Sequence, residues 1–441
     1  MQGAPSASVR RRGAPRLALG MALAMMAAGL PERAAAAVVE VPSDGEALVR
    51  AIASAAPGDV LRLKPGRHQG PVVIDRPLVL EGEPGAVVDG RRLGSVITVT
   101  APNVTIRGLE IRDGGADQDQ KPAGVHLERA AAGAVVEHNR LVDNRNGIVV
   151  SGAAQVTIRR NTVIGRKDLR LDHQGNGIQV TSAPGAQVVE NNVSFSHDGI
   201  LATTARKARL AANRISNVRF AVHVMYANDL QVSGNASYGN EFGYALMNAT
   251  GLVVRHNLSE GDRYQGIAIN YVNGSLIERN VVRGGPERCL FIFNSNANGF
   301  SDNRFEGCET GVHMTTGSEG NRLTGNAFVG NRTQVKYAGS RLYDWSVAGR
   351  GNYWSDNPAF DLNGDGIADA AYRPNDIVDR VVWAVPLAKL LLNSPAVQVV
   401  RWAQSQFPTI SPGGVVDSAP LMIPPPAPRG WRKEPFSDEG S

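Results

Sequence analysis

Between residues 139 and 328 the apolar and polar positions of the chain repeat on a period in the low twenties. An Asn marks the register: Asn139, Asn161, Asn192, Asn213, Asn235, Asn257, Asn280, Asn303 and Asn326, at spacings of 22, 31, 21, 22, 22, 23, 23 and 23 residues. An apolar residue stands three positions before each, from Val136 and Ile158 through Val189 to Phe300 and Leu323. About eight residues after each Asn comes a small residue, usually Gly, and then a short alternating apolar run. Two or three brief β-like runs in each unit of this length predict a solenoid. Leucine-rich repeats would place helix formers between the strands. Here those segments are rich in Asn, Gly, Ser and Arg, so the pattern predicts an all-β fold, a right-handed parallel β-helix.

The recurring Asn has a physical reason. Where the backbone turns inward at a corner, a stacked amide can bond a neighbouring backbone group and the Asn one coil away, satisfying groups that water cannot reach. Asn in ordinary surface turns need not keep register, and nine in register define a structural ladder.

The same counting orders the rest of the chain. Residues 43–56 (SDGEALVRAIASAA) carry an N-cap signal and helical apolar spacing, predicting a helix that covers the open first coil of a β-helix spanning 38–345. Two stretches, 113–123 and 166–175, read as loops leaving the coil, and the second accounts for the spacing of 31. Residues 346–380 form an Asp/Asn-rich loop. Residues 381–410 read as amphipathic helices, with Ser394 as N-cap, Pro395 in the first turn, and Ala396, Val400, Ala403 and Phe407 on one face. Residues 411–441 are a Pro-rich tail, expected to lack packed structure.

Along the strand that follows the small residue, alternation points Ile148, Val150, Val222, Val224, Ile267, Ile269 and Met314 inward. The outward positions then run His126 and Glu128, Val149 and Ser151, Gln179 and Thr181, Leu201 and Thr203, His223 and Met225, Ala245 and Met247, Ala268 and Asn270, Phe291 and Phe293, His313 and Thr315. Glu128 is the one carboxylate among them. Sugar-cleaving or epimerising enzymes need acids and bases on such a face, so the pattern argues against catalysis there. Asp172 with His173, and His197 with Asp198, lie at turns and are the residual acid/base pairs.

His223 and Met225 stand two residues apart on one strand, roughly 6–7 Å between Cα atoms, and Met247 stacks beside Met225 at about 4.8 Å on the next coil. Imidazole and thioether are ligands that suit Cu(I), and an open two- or three-coordinate site suits transfer. Met also fills irregular apolar contacts, so on pattern alone the three residues are either a soft-ligand set or a surface covered by a partner or loop.

Farther on, Asp361, Asn363, Asp365 and Gly366 match the start of an EF-hand loop, with the Ile367 carbonyl and Asp369 as further oxygens: a candidate structural calcium site. Tyr372 stands where the bidentate Glu would be.

Charge and cysteine content refine this picture. The chain of 441 residues carries a formal net charge of +5. Arg10, Arg11, Arg12 and Arg16, the apolar run LALGMALAMMAAGL and Ala34–Ala37 read as an export signal over residues 1–37, cleaved near Ala37. Without Arg10, Arg11, Arg12, Arg16, Arg33 and Glu32, the 46 basic and 41 acidic residues become 41 and 40. That near-neutral balance gives no argument for nucleic acid. Export implies an oxidising compartment, yet Cys289 and Cys308 are the two cysteines. They lie nine and five residues after their ladder Asn. The offset favours packing as small apolar residues, and a disulfide needs the turn to fold them together.

Four motifs carry a resemblance: HVMYANDLQVSGN (His223–Asn235), NRTQVKYAGSRLYDWS (Asn331–Ser346), GNYWSDNPAFDLNGDGIAD (Gly351–Asp369) and NSPAVQVVRWAQSQFP (Asn393–Pro408). In these, in order over nearly all of the expected mature chain, the sequence resembles the NosD family of nitrous-oxide-reductase maturation proteins. The resemblance implies a periplasmic β-helix protein, not an enzyme, that works with the permease and ATPase of an ABC transporter, a copper chaperone and the reductase in assembling a copper–sulfur cluster. It favours transient Cu(I) contact, and the outward-face argument assigns that contact to His223, Met225 and Met247. The C-terminal helices then become a peripheral contact with the membrane complex. The alternatives are a polysaccharide epimerase or lyase acting on a uronic-acid polymer, and a surface adhesin, both of which use the same coil.

Overall fold

The computed structural model describes residues 36–117, 120–337, 339–375, 377–391, 394–406 and 414–428. The expected leader lies outside them up to Ala35. Each coil contributes one strand to a parallel sheet of 13 strands that begins at Val38–Val41 and ends at Arg322–Thr324. The remaining strands of the coils form a second sheet of 23 strands. Strands such as Asn192–Thr203 and Arg214–Met225 run unbroken for 12 residues each. The chain is a parallel β-helix, and the interior is filled by inward columns such as Ile106, Val136, Ile158, Val188, Leu210, Val232, Val254, Ile277, Phe300 and Leu323, all fully buried.

The corner is held by the Asn ladder. Asn235 donates both its backbone N–H and its Nδ2 to Asn257 Oδ1 (3.0 Å each), and Nδ2 also reaches the Leu210 carbonyl at 2.9 Å. Asn257 repeats the pattern with Asn280 and the Val232 carbonyl. One rung differs from the sequence reading: Asn191, not Asn192, bonds Asn161 above and Asn213 below. Ile158 pairs in register with Val188, which sets the rung three residues later. Asn192 instead begins the next strand. The ladder also runs one rung past Asn326, to Asn352. It ends on a carboxylate: Asp417 Oδ2 accepts from the Asn352 backbone at 2.7 Å, Asn352 Nδ2 at 3.2 Å and Trp354 Nε1 at 2.8 Å.

Cys289 and Cys308 form a disulfide, with Cα atoms 5.7 Å apart, against the expectation of two unpaired thiols. Cys289 occupies the small-residue column otherwise held by Gly243, Gly266 and Gly311. A side chain in that column points at the corner residue of the following coil. A Cβ on Gly243 would stand 2.8 Å from Asp262 Oδ2, and one on Gly311 would stand 3.0 Å from Asn331 Nδ2. Cys308 is the corner residue that Cys289 faces. The offset counted around the coil is closed by the bend.

That corner column, five residues after each ladder Asn, holds a second set of polar bonds. Asn240 Oδ1 accepts from the Val218 N–H, and Asn331 Oδ1 from the Cys308 N–H, at 2.9 Å each. Asp262 stands one coil after Asn240 at the same position, and accepts from the Asn240 N–H (2.8 Å), Ser237 Oγ (2.7 Å) and Ser259 Oγ (2.6 Å). Burial pushes its carboxyl up to about 6, against the lowering effect of these donors.

Helix α1 (Ala47–Ser54) covers the first coil with Ala47, Leu48 and Ile52. It starts later than the SDGE signal suggests, and no side chain caps it. At the far end the rings of Phe305, Phe328, Trp354 and Trp345 stack in sequence, with Tyr372 on Trp354. The tail is not structureless here: Gly414–Val416 pairs in parallel with Leu342–Asp344, and Val415 and Asp417 are buried. Between these segments lie helix α2 (Ile377–Ala384), a 3-10 turn (Pro386–Leu391) and helix α3 (Pro395–Gln406), with the Val397 N–H donating to Ser394 Oγ at 3.4 Å. Leu387 and Leu390 in the 3-10 turn are 77% and 85% exposed. Among the described residues no helix is long and apolar enough to cross a membrane.

Replacing Asn257 with Ala strands two buried donors of Asn235, and is expected to cost about 2–5 kcal/mol in denaturant unfolding. A loss below about 1 kcal/mol would mean the Asn is no more than a surface-turn residue. For Asp262 the sign is opposite to that of a salt-bridged acid. As pH rises from about 4 to about 6 the unfolded chain has already lost the proton that the folded chain still holds, so stability falls by about 3 kcal/mol across that window. Asp262→Asn should flatten this slope relative to the parent and raise the unfolding midpoint at pH 7.5; parallel pH profiles would refute it.

Candidate metal centre

Three outward positions of adjacent strands define the candidate site. Parallel pairing aligns Leu201, His223 and Ala245 in one column, and Thr203, Met225, Met247 and Asn270 in the next. Met225 and Met247 are direct register partners, and His223 stands two residues before Met225 on the same strand. Val222 and Val224 on either side of His223 are fully buried in the core, so alternation holds the His outward. Both Met side chains are half-buried, and Tyr226 beyond them is exposed.

His223 is nevertheless only 7% exposed. The Phe220 ring lies 4.6 Å from its centroid, and Asp198 of the preceding coil meets it at 2.7 Å, Oδ2 to Nδ1. Its Nε2 is buried with no hydrogen-bond partner. Asp198, 2% exposed, is gripped on its other side by Arg219: Nε reaches Oδ1 at 3.0 Å and Nη2 reaches Oδ2 at 3.2 Å. The Arg219 guanidinium in turn lies over the Phe220 ring at 4.3 Å. His197 approaches the same carboxylate at 3.6 Å. Burial holds its imidazole below the ordinary value; the nearby Arg219 adds to this, while Asp198 opposes it.

Asp198 and Arg219 escape the outward-face reading. Asp198 was assigned to a turn, but it lies inside the strand Asn192–Thr203, one residue before Gly199 of the small-residue column. Its register partner is Phe220. Counted back across that Gly, strict alternation gives Asp198 the inward parity of Ile200, so the count alone does not find it; its hydrogen bond to His223 does. Asp172 and His173 sit in a 3-10 turn (Leu171–His173), exposed and 3.9 Å apart. The excursion carrying them lines an open cleft of about 560 Å³ with Arg170, His197, Arg219 and Glu241.

The candidate calcium loop is occupied with its own backbone. Asp361 accepts from the N–H groups of Gly364 and Gly366, Asn363 from Asp365, Asp365 from Ile367, and Asp369 from Leu362. Among the described residues no three His, Cys, Asp or Glu side chains converge as a metal site. Asp361, Asn363, Asp365, Ile367 and Asp369 therefore make an Asx-rich turn, and calcium gains no support. A soft-metal site on the outward face would be built from one imidazole and thioethers.

The family described as "Periplasmic copper-binding protein (NosD)" matches residues 164–359, and a right-handed β-helix region matches 88–193. The chain is 46% identical over 375 residues to the probable ABC transporter binding protein NosD of Stutzerimonas stutzeri, covering 82% of this chain and 86% of that one. It is 47% identical over 378 residues to the protein of the same description from Pseudomonas aeruginosa, covering 83% and 88%. The chain belongs to the NosD family. Among solved structures, the A-module of an Azotobacter vinelandii mannuronan C-5 epimerase is similar with a TM-score of 0.53 at 13% identity, covering 67% of this chain and 92% of that one. The Streptococcus pneumoniae adhesin PfbA is similar with a TM-score of 0.52 at 10% identity, covering 67% and 89%. At such identity the likeness shows the shared coil alone. The NosD family is periplasmic and copper-binding by description, and its relatives are named for binding to an ABC transporter rather than for a reaction.

If the Asp361–Asp369 loop is an Asx turn, adding millimolar calcium or a chelator should leave the thermal midpoint unchanged, since only a ligand that binds the folded form shifts it. A calcium-dependent rise of several degrees would reinstate the site.

Proposed function

We propose that this chain is a periplasmic accessory protein for maturation of nitrous oxide reductase, and that it passes Cu(I) across the outward face at His223, Met225 and Met247. The observation that carries the reading is the alignment of Met225 on Met247 beside an imidazole whose Nε2 has no partner. Thioether sulfur is soft and neutral, and binds Cu(I) without a proton to displace. A site of few ligands at the surface favours exchange with a second protein over storage. Cu(I) is here cargo, received from a copper chaperone and given up toward the copper–sulfur cluster of the reductase.

The relatives' names support work beside an ABC transporter, a permease with its ATPase. The segment from α2 to α3 carries the exposed apolar side chains suited to that contact, among them Val385, Leu387, Leu390 and Leu391. We assign it the peripheral contact with the membrane complex. The alternative of a uronic-acid epimerase or lyase keeps only the shared coil.

The mature protein should bind one Cu(I) tightly in competition with a chromophoric chelator. The triple variant His223→Ala, Met225→Ala, Met247→Ala should keep its circular dichroism and lose at least about tenfold in affinity, the lower bound set by loss of outer-shell partners alone. Cells carrying the variant should yield reductase without its cluster. Full cluster content with unchanged Cu(I) affinity would end the assignment of these ligands.

A further inference from the structure

The histidine of this face has its two ring nitrogens in different settings, and the difference is made by residues outside the ligand set. Nδ1 lies 2.7 Å from Asp198 Oδ2. A carboxylate only accepts, so the hydrogen of the neutral ring belongs on Nδ1. Nε2 is buried and meets no donor or acceptor. A hydrogen there would be a buried donor with nothing to receive it, whereas a lone pair there is what a soft cation takes. Asp198 cannot swing away to relax this arrangement: the Arg219 fork holds both its oxygens, and the carboxylate is 2% exposed.

We propose that Asp198, clamped by Arg219, is the positioning residue of the copper face: it fixes His223 as the Nδ1–H tautomer and leaves Nε2 as the single nitrogen able to bind Cu(I). This rests on the copper reading of the face. A carboxylate behind a metal-bound imidazole sets both its tautomer and its orientation. Here the bond is already made in the metal-free chain, so Cu(I) meets a lone pair that needs no prior movement of a hydrogen. Once the side chains covering Nε2 part, cargo enters and leaves with no hydrogen moved: a Cu–N bond forms as a bond from Cu to its carrier breaks, and the oxidation state does not change.

The test uses the mature full chain, metal-free, with ¹⁵N-labelled histidine, and long-range ¹H–¹⁵N correlation spectra that read the tautomer of each ring. His223 is identified by its absence in His223→Ala and should show the Nδ1–H pattern. Asp198→Asn is the informative variant. With its amide oxygen turned to Arg219, the NH₂ group faces Nδ1 and forces the ring hydrogen onto Nε2, as an Asp-to-Asn change behind a catalytic His does elsewhere. The expected result is an inverted His223 tautomer, circular dichroism that still shows the folded coil, a thermal midpoint lowered by loss of the buried Arg219 pair, and Cu(I) affinity lowered by about 10- to 100-fold. An Nε2–H pattern in the parent protein overturns the proposal without any variant. A tautomer unmoved in folded Asp198→Asn overturns the role of Asp198. An inverted tautomer with unchanged Cu(I) affinity overturns His223 as a ligand, and so separates failure of the copper reading from failure of the tautomer assignment.

Discussion

The bidentate bond from one coil's Asn to the amide oxygen of the next is the interaction on which the rest of this structure depends. At each corner the backbone turns its N–H groups away from water, and an unpaired buried amide is costly. Asn answers with one oxygen that accepts twice and a nitrogen that reaches a carbonyl on the coil before, as at Asn235. Each rung requires the next to sit at the same height and angle. The ladder therefore imposes register on the strands that leave the corner, and through them on every inward and outward side chain.

With register held from inside, the outer positions carry little structural duty. That is why one strand can present His223 and Met225, and its neighbours Leu201 and Met247, without disturbing Val222 and Val224 behind them. The face is preformed on a rigid ladder rather than assembled from loops, so ligand spacing is set by strand geometry. Tuning comes from the bend, where Asp198 stands close enough to reach forward by one coil.

Most of this was legible in the sequence because the coil has a ruler in it. Counting from each Asn separated core from surface and aligned His223, Met225 and Met247. It failed wherever two counts were locally equal or the chain bent. Asn191 and Asn192 follow Val188 and Val189, and the excursion at 166–175 removes the normal spacing before them; the 22 residues from Asn191 to Asn213 were the signal for the first, and the pairing of Ile158 with Val188 agrees with it. Cys289 and Cys308 looked offset because residues were counted along the coil while the corner folds them together. Asp198 was lost in the same way, on the far side of a Gly. The Asp361–Asp369 motif is ambiguous for a chemical reason: the carboxylates that could ligate a cation are equally suited to cap their own turn.

Asp417 was beyond local reading altogether, lying 65 residues past the Asn352 backbone it receives. Its place gives the ladder a direction. Every rung donates toward the coil that follows it in the chain, so the acceptor for any corner always lies in later sequence. From Asn139 onward, a chain cut inside the repeat ends on a pair of donors with nothing to meet them, whichever coil is last. Only past residue 417 does the series close, on an anion that takes both donors of Asn352 and the indole of Trp354. The short strand around Gly414–Val416 is thus a latch: the coil is finished from its far end, by residues that belong to no coil.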